Sequence, residues 1–110
     1  MKKISVGFIT KELKDAFEKL KEGKFEDKRL YEFILRAKKD LEINPTCAIR
    51  IQKKLWPKEY IRDYQVTNLW KYDLPNAWRL VYTIENDEAE IIAIFLEWLT
   101  HKEYERRFKY

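Results

Sequence analysis

The chain of 110 residues predicts a single α+β domain, and three patterns predict it. Apolar residues recur at helical spacing from position 13 to position 41, they alternate with period two between positions 66 and 98, and a helix-capping sequence stands just beyond the last of those strands. A chain this short buries about two-thirds of the surface it exposes when unfolded, enough for one core and no second domain. The hydrophobic share of 45% supports a packed interior, and the charged share of 38% exceeds the roughly 25% of an average domain, so a soluble, folded protein is expected.

Taken in order, Ile4, Val6 and Phe8 alternate with Ser5 and Gly7 as a short first strand. Thr10 caps the next segment, in which Leu13, Ala16, Phe17 and Leu20 mark one face of a helix that the Glu22-Gly23-Lys24 turn ends. From about Asp27 a longer helix sets Leu30, Phe33, Ile34, Ala37 and Leu41 on one stripe. It stops at Asn44-Pro45, because proline disfavours helical geometry in the residue before it. Two amphipathic helices with a short connection make an antiparallel hairpin, and a sheet must cover their stripes. Residues 66–73, 78–85 and 89–98 supply it as a three-strand antiparallel meander, turned at Leu74-Pro75-Asn76-Ala77 and at Asn86-Asp87. The run Ile91 to Leu96 is apolar on both faces and belongs at a covered position in the sheet, while Trp70, Trp78, Tyr82 and Trp98 fall at core spacing. Residues 47–64 are expected as a basic loop or edge strand. The expected architecture is therefore an N-terminal strand and an antiparallel helical hairpin packed on a small twisted antiparallel sheet, with a short C-terminal helix.

The net charge of +4 is uneven. Residues 1–55 carry 15 basic and 9 acidic side chains, whereas residues 56–110 carry 8 and 10. A basic face suits a polyanion such as RNA or an acidic protein partner. The lone Cys47 forms no internal disulfide, has no neighbouring ligand for a metal site, and points to a reducing, cytoplasmic setting. No cofactor or metal is expected, and no apolar run approaches the length of a membrane span.

The last third carries the chemistry. Thr100 and Glu103 stand as the reciprocal pair of a capping box, with Leu99 and Tyr104 able to close a hydrophobic staple around it. The only histidine, His101, thereby takes the first helical position, where backbone N–H groups and the positive end of the helix dipole favour an anion. Arg79 is a lone basic residue in an otherwise apolar strand, Trp78-Arg79-Leu80-Val81-Tyr82. Brought together, a strand-borne guanidinium and a helix-start imidazole can hold and cleave a phosphodiester.

With these residues the chain resembles the RelE/ParE superfamily of toxins from bacterial and archaeal toxin–antitoxin pairs. The likeness runs over nearly the whole length: first strand, helical hairpin, basic segment, a meander with the Trp-Arg-Leu-Val-Tyr block, and a C-terminal element opening at His101. The resemblance implies a small antiparallel sheet backed by helices. It also implies a toxin of a type II toxin–antitoxin system that acts, in many members, as a ribosome-dependent endoribonuclease on messenger RNA. The partners implied are a cognate antitoxin, mRNA and the ribosome, with no membrane. A gyrase-inhibiting toxin of the ParE branch and a non-catalytic module that binds an antitoxin or other protein are the alternatives. By the same resemblance Arg79 steadies the scissile phosphate, His101 falls where nuclease members carry a catalytic His or Arg, and Tyr104 or Tyr110 stands for their C-terminal Tyr. Lys53 and Lys54 match phosphate-contacting lysines of the basic segment.

Metal-independent RNA cleavage needs a base for the 2′-OH proton, positive charge for the phosphorane and an acid for the leaving 5′-oxygen. His101 is the candidate base or acid and Arg79 the phosphorane ligand. Arg50, Lys53, Lys54 and Arg107 are candidates for flanking phosphates. Tyr104 or Tyr110 is a candidate proton donor or stacking ring, with Trp56 and Tyr60 as further stacking rings. Each has a structural alternative: Arg79 can pair with Asp73, Lys53 and Lys54 can be a solvated face, and Arg106 and Arg107 suit a helix C-terminus with no ligand at all.

Overall fold

A computed structural model describes residues 2–108. Its elements run β1 (Lys3–Phe8), α1 (Lys11–Lys19), α2 (Phe25–Ile43), β2 (Ile49–Arg50), α3 (Lys58–Tyr64), β3 (Trp70–Leu74), β4 (Trp78–Asn86), β5 (Glu90–Thr100) and α4 (His101–Phe108). The α+β class and the helical hairpin are as the sequence predicts. Short 3-10 turns follow α1 and β2 and bridge β3 to β4.

The helix ends have local causes. Thr10 Oγ1 accepts the Leu13 N–H at 3.0 Å and opens α1, while Asp27 Oδ2 accepts the Lys24 N–H at 3.0 Å and opens α2 two residues earlier than the apolar stripe suggested. In α2 the residues Leu30, Ile34, Ala37 and Leu41 are buried, and the helix closes at Asn44, just before Pro45.

The five strands form one sheet in the order β1-β5-β4-β3-β2. The meander β3-β4-β5 is antiparallel, as expected. The whole sheet, however, is mixed: β1 joins β5 in parallel, from Lys3 opposite Glu90 to Phe8 opposite Phe95. The helical hairpin lies between these two strands in the chain and supplies the long crossover that parallel pairing requires. β5 is thus flanked on both sides, in keeping with its apolar character, and contributes Phe95 to one core and Leu96 and Leu99 to another.

Each face of the sheet carries its own core. On the first, α1 and α2 press Phe17, Leu30, Ile34 and Leu41 onto Leu80, Tyr82 and Phe95, with Trp70, Trp78 and Trp98 packed around them. On the second, α3 and α4 press Tyr60, Tyr104 and Phe108 onto Val81, Leu96 and Leu99. The register between β4 and β5 shifts once: Val81 faces Glu97 and Tyr82 faces Phe95, so Leu96 is an extra residue in β5. This bulge lets Leu96 and Glu97 both serve the second face.

Two further expectations are corrected. The strand predicted from residue 66 begins only at Trp70, because the Asn68 side chain takes the place of backbone pairing. Its Oδ1 accepts the Ile84 N–H and its Nδ2 donates to the Ile84 carbonyl, both at 2.8 Å. The segment 47–64, expected as a loop or edge strand, holds the two-residue edge strand β2 but also the helix α3. Pro57 precedes that helix and Gln65, with φ of 54°, closes it in the left-handed region.

The β3–β4 connection turns on Asn76 and Ala77, with φ of 61° and 62°. Asn tolerates this geometry, but Ala sets its Cβ against the neighbouring carbonyl at a cost of about 1–2 kcal/mol. Ala77→Gly is therefore expected to raise the unfolding free energy by about 1 kcal/mol in urea titration; an unchanged or lowered midpoint would contradict the turn geometry.

Candidate functional site

β4 alternates, so Arg79 shares the second face with Val81, while Leu80 and Tyr82 serve the first. Its neighbours on β3 are Asp73, directly opposite, and Lys71, opposite Val81. On the other side Arg79 pairs with Leu99 and Trp78 with Thr100, so β5 ends level with Arg79 and the chain turns there into α4. The turn is held by the expected capping box: Glu103 Oε1 accepts the Thr100 N–H at 2.8 Å and Thr100 Oγ1 accepts the Glu103 N–H at 3.2 Å. The first of these bonds holds the Glu103 carboxyl below its ordinary range. His101 is the first residue of α4, and its Nδ1 lies 3.3 Å from Arg79 Nη2. The pair that sequence reasoning singled out is a contact.

Both members also have acidic partners. Arg79 Nε is 3.1 Å from Asp73 Oδ1, an ion pair by distance, although the buried N–H is not directed at the oxygen and makes no hydrogen bond. Glu105, one turn along α4, forms an ion pair or hydrogen bond with His101 Nε2 through Oε1. Lys71 adds a second cation that sequence reasoning missed. Its Nζ lies 3.6 Å from Asp73 Oδ1 and 5.3 Å above the Tyr104 ring. The signal was present in the alternation, because Lys71 is two residues before Asp73 and so shares the face of Arg79. Arg79 and Lys71 are mostly covered, at 17% and 19% side-chain exposure, whereas His101 and Glu105 are about half exposed, at 51% and 49%. The cations are held in place and the imidazole is reachable.

Tyr104 lies beneath this cluster, under Lys71. It is 1% exposed and stacks on Phe108 with ring centroids 4.3 Å apart, so it is a core residue of the second face, and the expectation that it stacks on a base is corrected. Tyr60 is corrected likewise: it is 2% exposed, and its hydroxyl donates to the Glu97 carboxylate. Tyr110 lies outside the described residues.

The remaining basic candidates are not beside Arg79. After β2 the chain runs antiparallel to β3 away from Asp73, with Ile51 N–H on the Leu69 carbonyl at 2.8 Å. That point is four residues, about 13 Å, from Asp73 along the extended chain that leads into β3, and the 3-10 turn that carries Lys53 and Lys54 follows it. Lys54 and Arg107 meet instead at the far end of α4, where with Trp56, Lys58 and Phe108 they line a groove of about 320 Å³. Arg107 Nη1 donates to Glu97 Oε2 at 2.7 Å. Burial pushes the Glu97 carboxyl up, with the Tyr60 hydroxyl and Arg107 acting against that. Arg50 and Lys53 line a second groove of about 340 Å³ with Trp56, and the Arg50 guanidinium lies over the Trp70 ring at 5.9 Å. Trp56 donates its indole N–H to the Ile51 carbonyl at 2.9 Å, which fixes the ring between these two grooves.

Among the described residues no group of three or more His, Cys, Asp or Glu side chains is placed to hold a metal ion, and no helix is long and apolar enough to cross a membrane. No protein-family model, curated protein or solved structure matches the chain.

Tyr72 donates its hydroxyl to Asp40, and burial together with that bond pushes it up to about 12. Burial likewise raises Tyr60 and Tyr82, the latter donating to the Pro45 carbonyl at 2.7 Å. A phenol with a raised folded value contributes stability that is complete below the unfolded value of about 10 and is lost as pH rises through the folded one. Absorbance titration should show these three tyrosines ionising in a late step, well above pH 10, accompanied by loss of structure. A single step for all tyrosines near pH 10 in a protein that stays folded would contradict this.

Proposed function

We propose that this chain is the toxin of a type II toxin–antitoxin system: a cytoplasmic, metal-independent, ribosome-dependent endoribonuclease of the RelE/ParE type that cleaves messenger RNA. The observation that carries the reading is the 3.3 Å contact between Arg79 and His101, two groups 22 residues apart in sequence whose chemistries are complementary for this reaction. The order of elements and the Trp-Arg-Leu-Val-Tyr block on β4 support the family.

In the proposed reaction a scissile phosphate enters between the two groups. Arg79 releases Asp73 and binds the non-bridging oxygens, a charge-assisted contact that strengthens as negative charge accumulates on the phosphorane. His101 takes the 2′-OH proton and the 2′-oxygen bonds to phosphorus. The bond from phosphorus to the 5′-oxygen breaks, that oxygen leaves with a proton from the Lys71 ammonium, and the products are a 2′,3′-cyclic phosphate and a 5′-hydroxyl. Lys54, Lys58 and Arg107 gather at the far end of α4, about 9 Å from its start by helical rise, which suits a flanking phosphate of the same strand. A cognate antitoxin completes the system. The exposed Ile43 and Ile49, which line one groove of about 540 Å³ between the end of α2 and the edge strand, support docking of an amphipathic antitoxin segment there.

A second reading, the non-catalytic module that binds an antitoxin or other protein, is favoured by a different observation: Asp73 and Glu105 already occupy the two groups an RNA phosphate would need. A translation extract with ribosomes separates the two. The wild-type protein is expected to arrest synthesis and leave cut messages, with Arg79→Ala and His101→Ala each slower by about a hundredfold or more while keeping the wild-type circular dichroism. Intact messages and undisturbed synthesis would give the module reading precedence, and stalled replication with intact messages would turn the assignment to a gyrase inhibitor.

A further inference from the structure

We infer that Glu105 is a positioning residue that holds His101 in one tautomer, with the Nδ1 lone pair as the proton-accepting atom. The inference rests on donor and acceptor chemistry. An arginine guanidinium only donates hydrogen bonds and an ionised carboxylate only accepts them. Arg79 Nη2 at 3.3 Å from Nδ1 therefore requires a bare Nδ1, and the Glu105 carboxylate on Nε2 requires a proton there. Both contacts are satisfied together only by the neutral imidazole protonated at Nε2. A base oriented from behind by a third group, on the nitrogen that does not react, is the arrangement that general-base catalysis by histidine uses.

The geometry of the helix makes this possible. Residues four apart share a helix face, so placing His101 at the first position of α4 puts Glu105 directly beneath it, and the Thr100–Glu103 capping bonds lock that first turn. The charged groups around the imidazole are Glu105 from α4, Arg79 from β4 and, through Arg79, Asp73 and Lys71 from β3. Glu105 favours the imidazolium that forms when Nδ1 takes a proton, and Arg79 opposes it. The proton moves from the substrate 2′-hydroxyl to Nδ1, while the Nε2 proton stays between His101 and Glu105. The catalytic part of this inference rests on the nuclease reading; the tautomer does not.

The test exploits the chain having one histidine. Two-bond proton–nitrogen correlation spectra read its tautomer directly. The wild-type imidazole is expected as the Nε2–H form at pH 8. Arg79 by itself also disfavours a proton on Nδ1, so the contribution of Glu105 is read with Arg79 removed: Arg79→Ala is expected to keep the Nε2–H form through Glu105, and Arg79→Ala combined with Glu105→Ala, at a half-exposed helical position that tolerates alanine, to give a tautomer mixture. Glu105→Gln in the Arg79→Ala protein, which keeps an acceptor but no charge, is expected to keep the Nε2–H form. Wild-type protein in the Nδ1–H form, or the double alanine variant identical to Arg79→Ala, would overturn the inference whether or not the protein cuts RNA. In the cleavage assay Glu105→Ala is expected to lower the rate about tenfold. An active wild type with the rate unmoved in that variant would remove Glu105 from the mechanism and leave the nuclease reading intact; an inactive wild type would remove that reading and leave the spectra to decide the tautomer.

Discussion

The pairing register of β4 and β5 governs where every group of the candidate site can stand. With Arg79 opposite Leu99 and Trp78 opposite Thr100, the last strand runs out level with the guanidinium, and the C-terminal helix must begin beside it. A slip of one residue would exchange the faces of β4. Leu80 and Tyr82 would leave the core beneath the helical hairpin, Val81 would leave the core beneath α4, and Arg79 would point into α2. Burying two apolar sets on opposite sides of one strand thus specifies the position of its single charged residue.

That position has consequences for charge. Arg79 and Lys71 stand on the face that α4 partly covers, and their stems are enclosed while their charged ends meet Asp73. The exposed side of the cluster is made by His101 and Glu105. Two cations balanced by two carboxylates leave the cluster nearly neutral, so an incoming phosphate competes with Asp73 for the guanidinium instead of entering an open positive field. Such a site binds anions weakly from bulk solvent and more readily when a larger surface delivers them. That fits a protein whose proposed substrate is presented by the ribosome, with Lys54 and Arg107 at the far end of α4 to hold the strand on one side of the site.

Local rules carried much of this into the sequence. The stripes of α1 and α2, the Thr10 cap, the Asn44-Pro45 stop and the Thr100–Glu103 box are each written within a few consecutive residues, and each reads correctly. The Arg79–His101 contact was legible for the same reason, since one capping box and one antiparallel hairpin suffice to bring a strand end beside a helix start. What stayed hidden depends on partners distant in sequence. The parallel pairing of β1 with β5 joins residues from opposite ends of the chain, and the late start of β3 rests on the Asn68 side chain imitating a backbone against Ile84. The helix α3 is only seven residues long, too short to show a period, and it forms because Tyr60 finds a buried place beside Phe108 and Glu97. Tyr104 carried two readings, a staple partner of Leu99 and a ring available beside His101; the first agrees with its place in the same buried cluster as Leu99, and the second fails because the ring faces the sheet.

The decisive observation is where a messenger that cannot be cut, methylated at the 2′-oxygen of the cleavage site, sits on this protein in the ribosomal decoding site. The scissile phosphate is expected between Arg79 and His101, with Nδ1 facing the methylated oxygen and the guanidinium moved off Asp73. A messenger seated on another surface, with Arg79 still held by Asp73 and His101 facing solvent, would contradict the proposed mechanism.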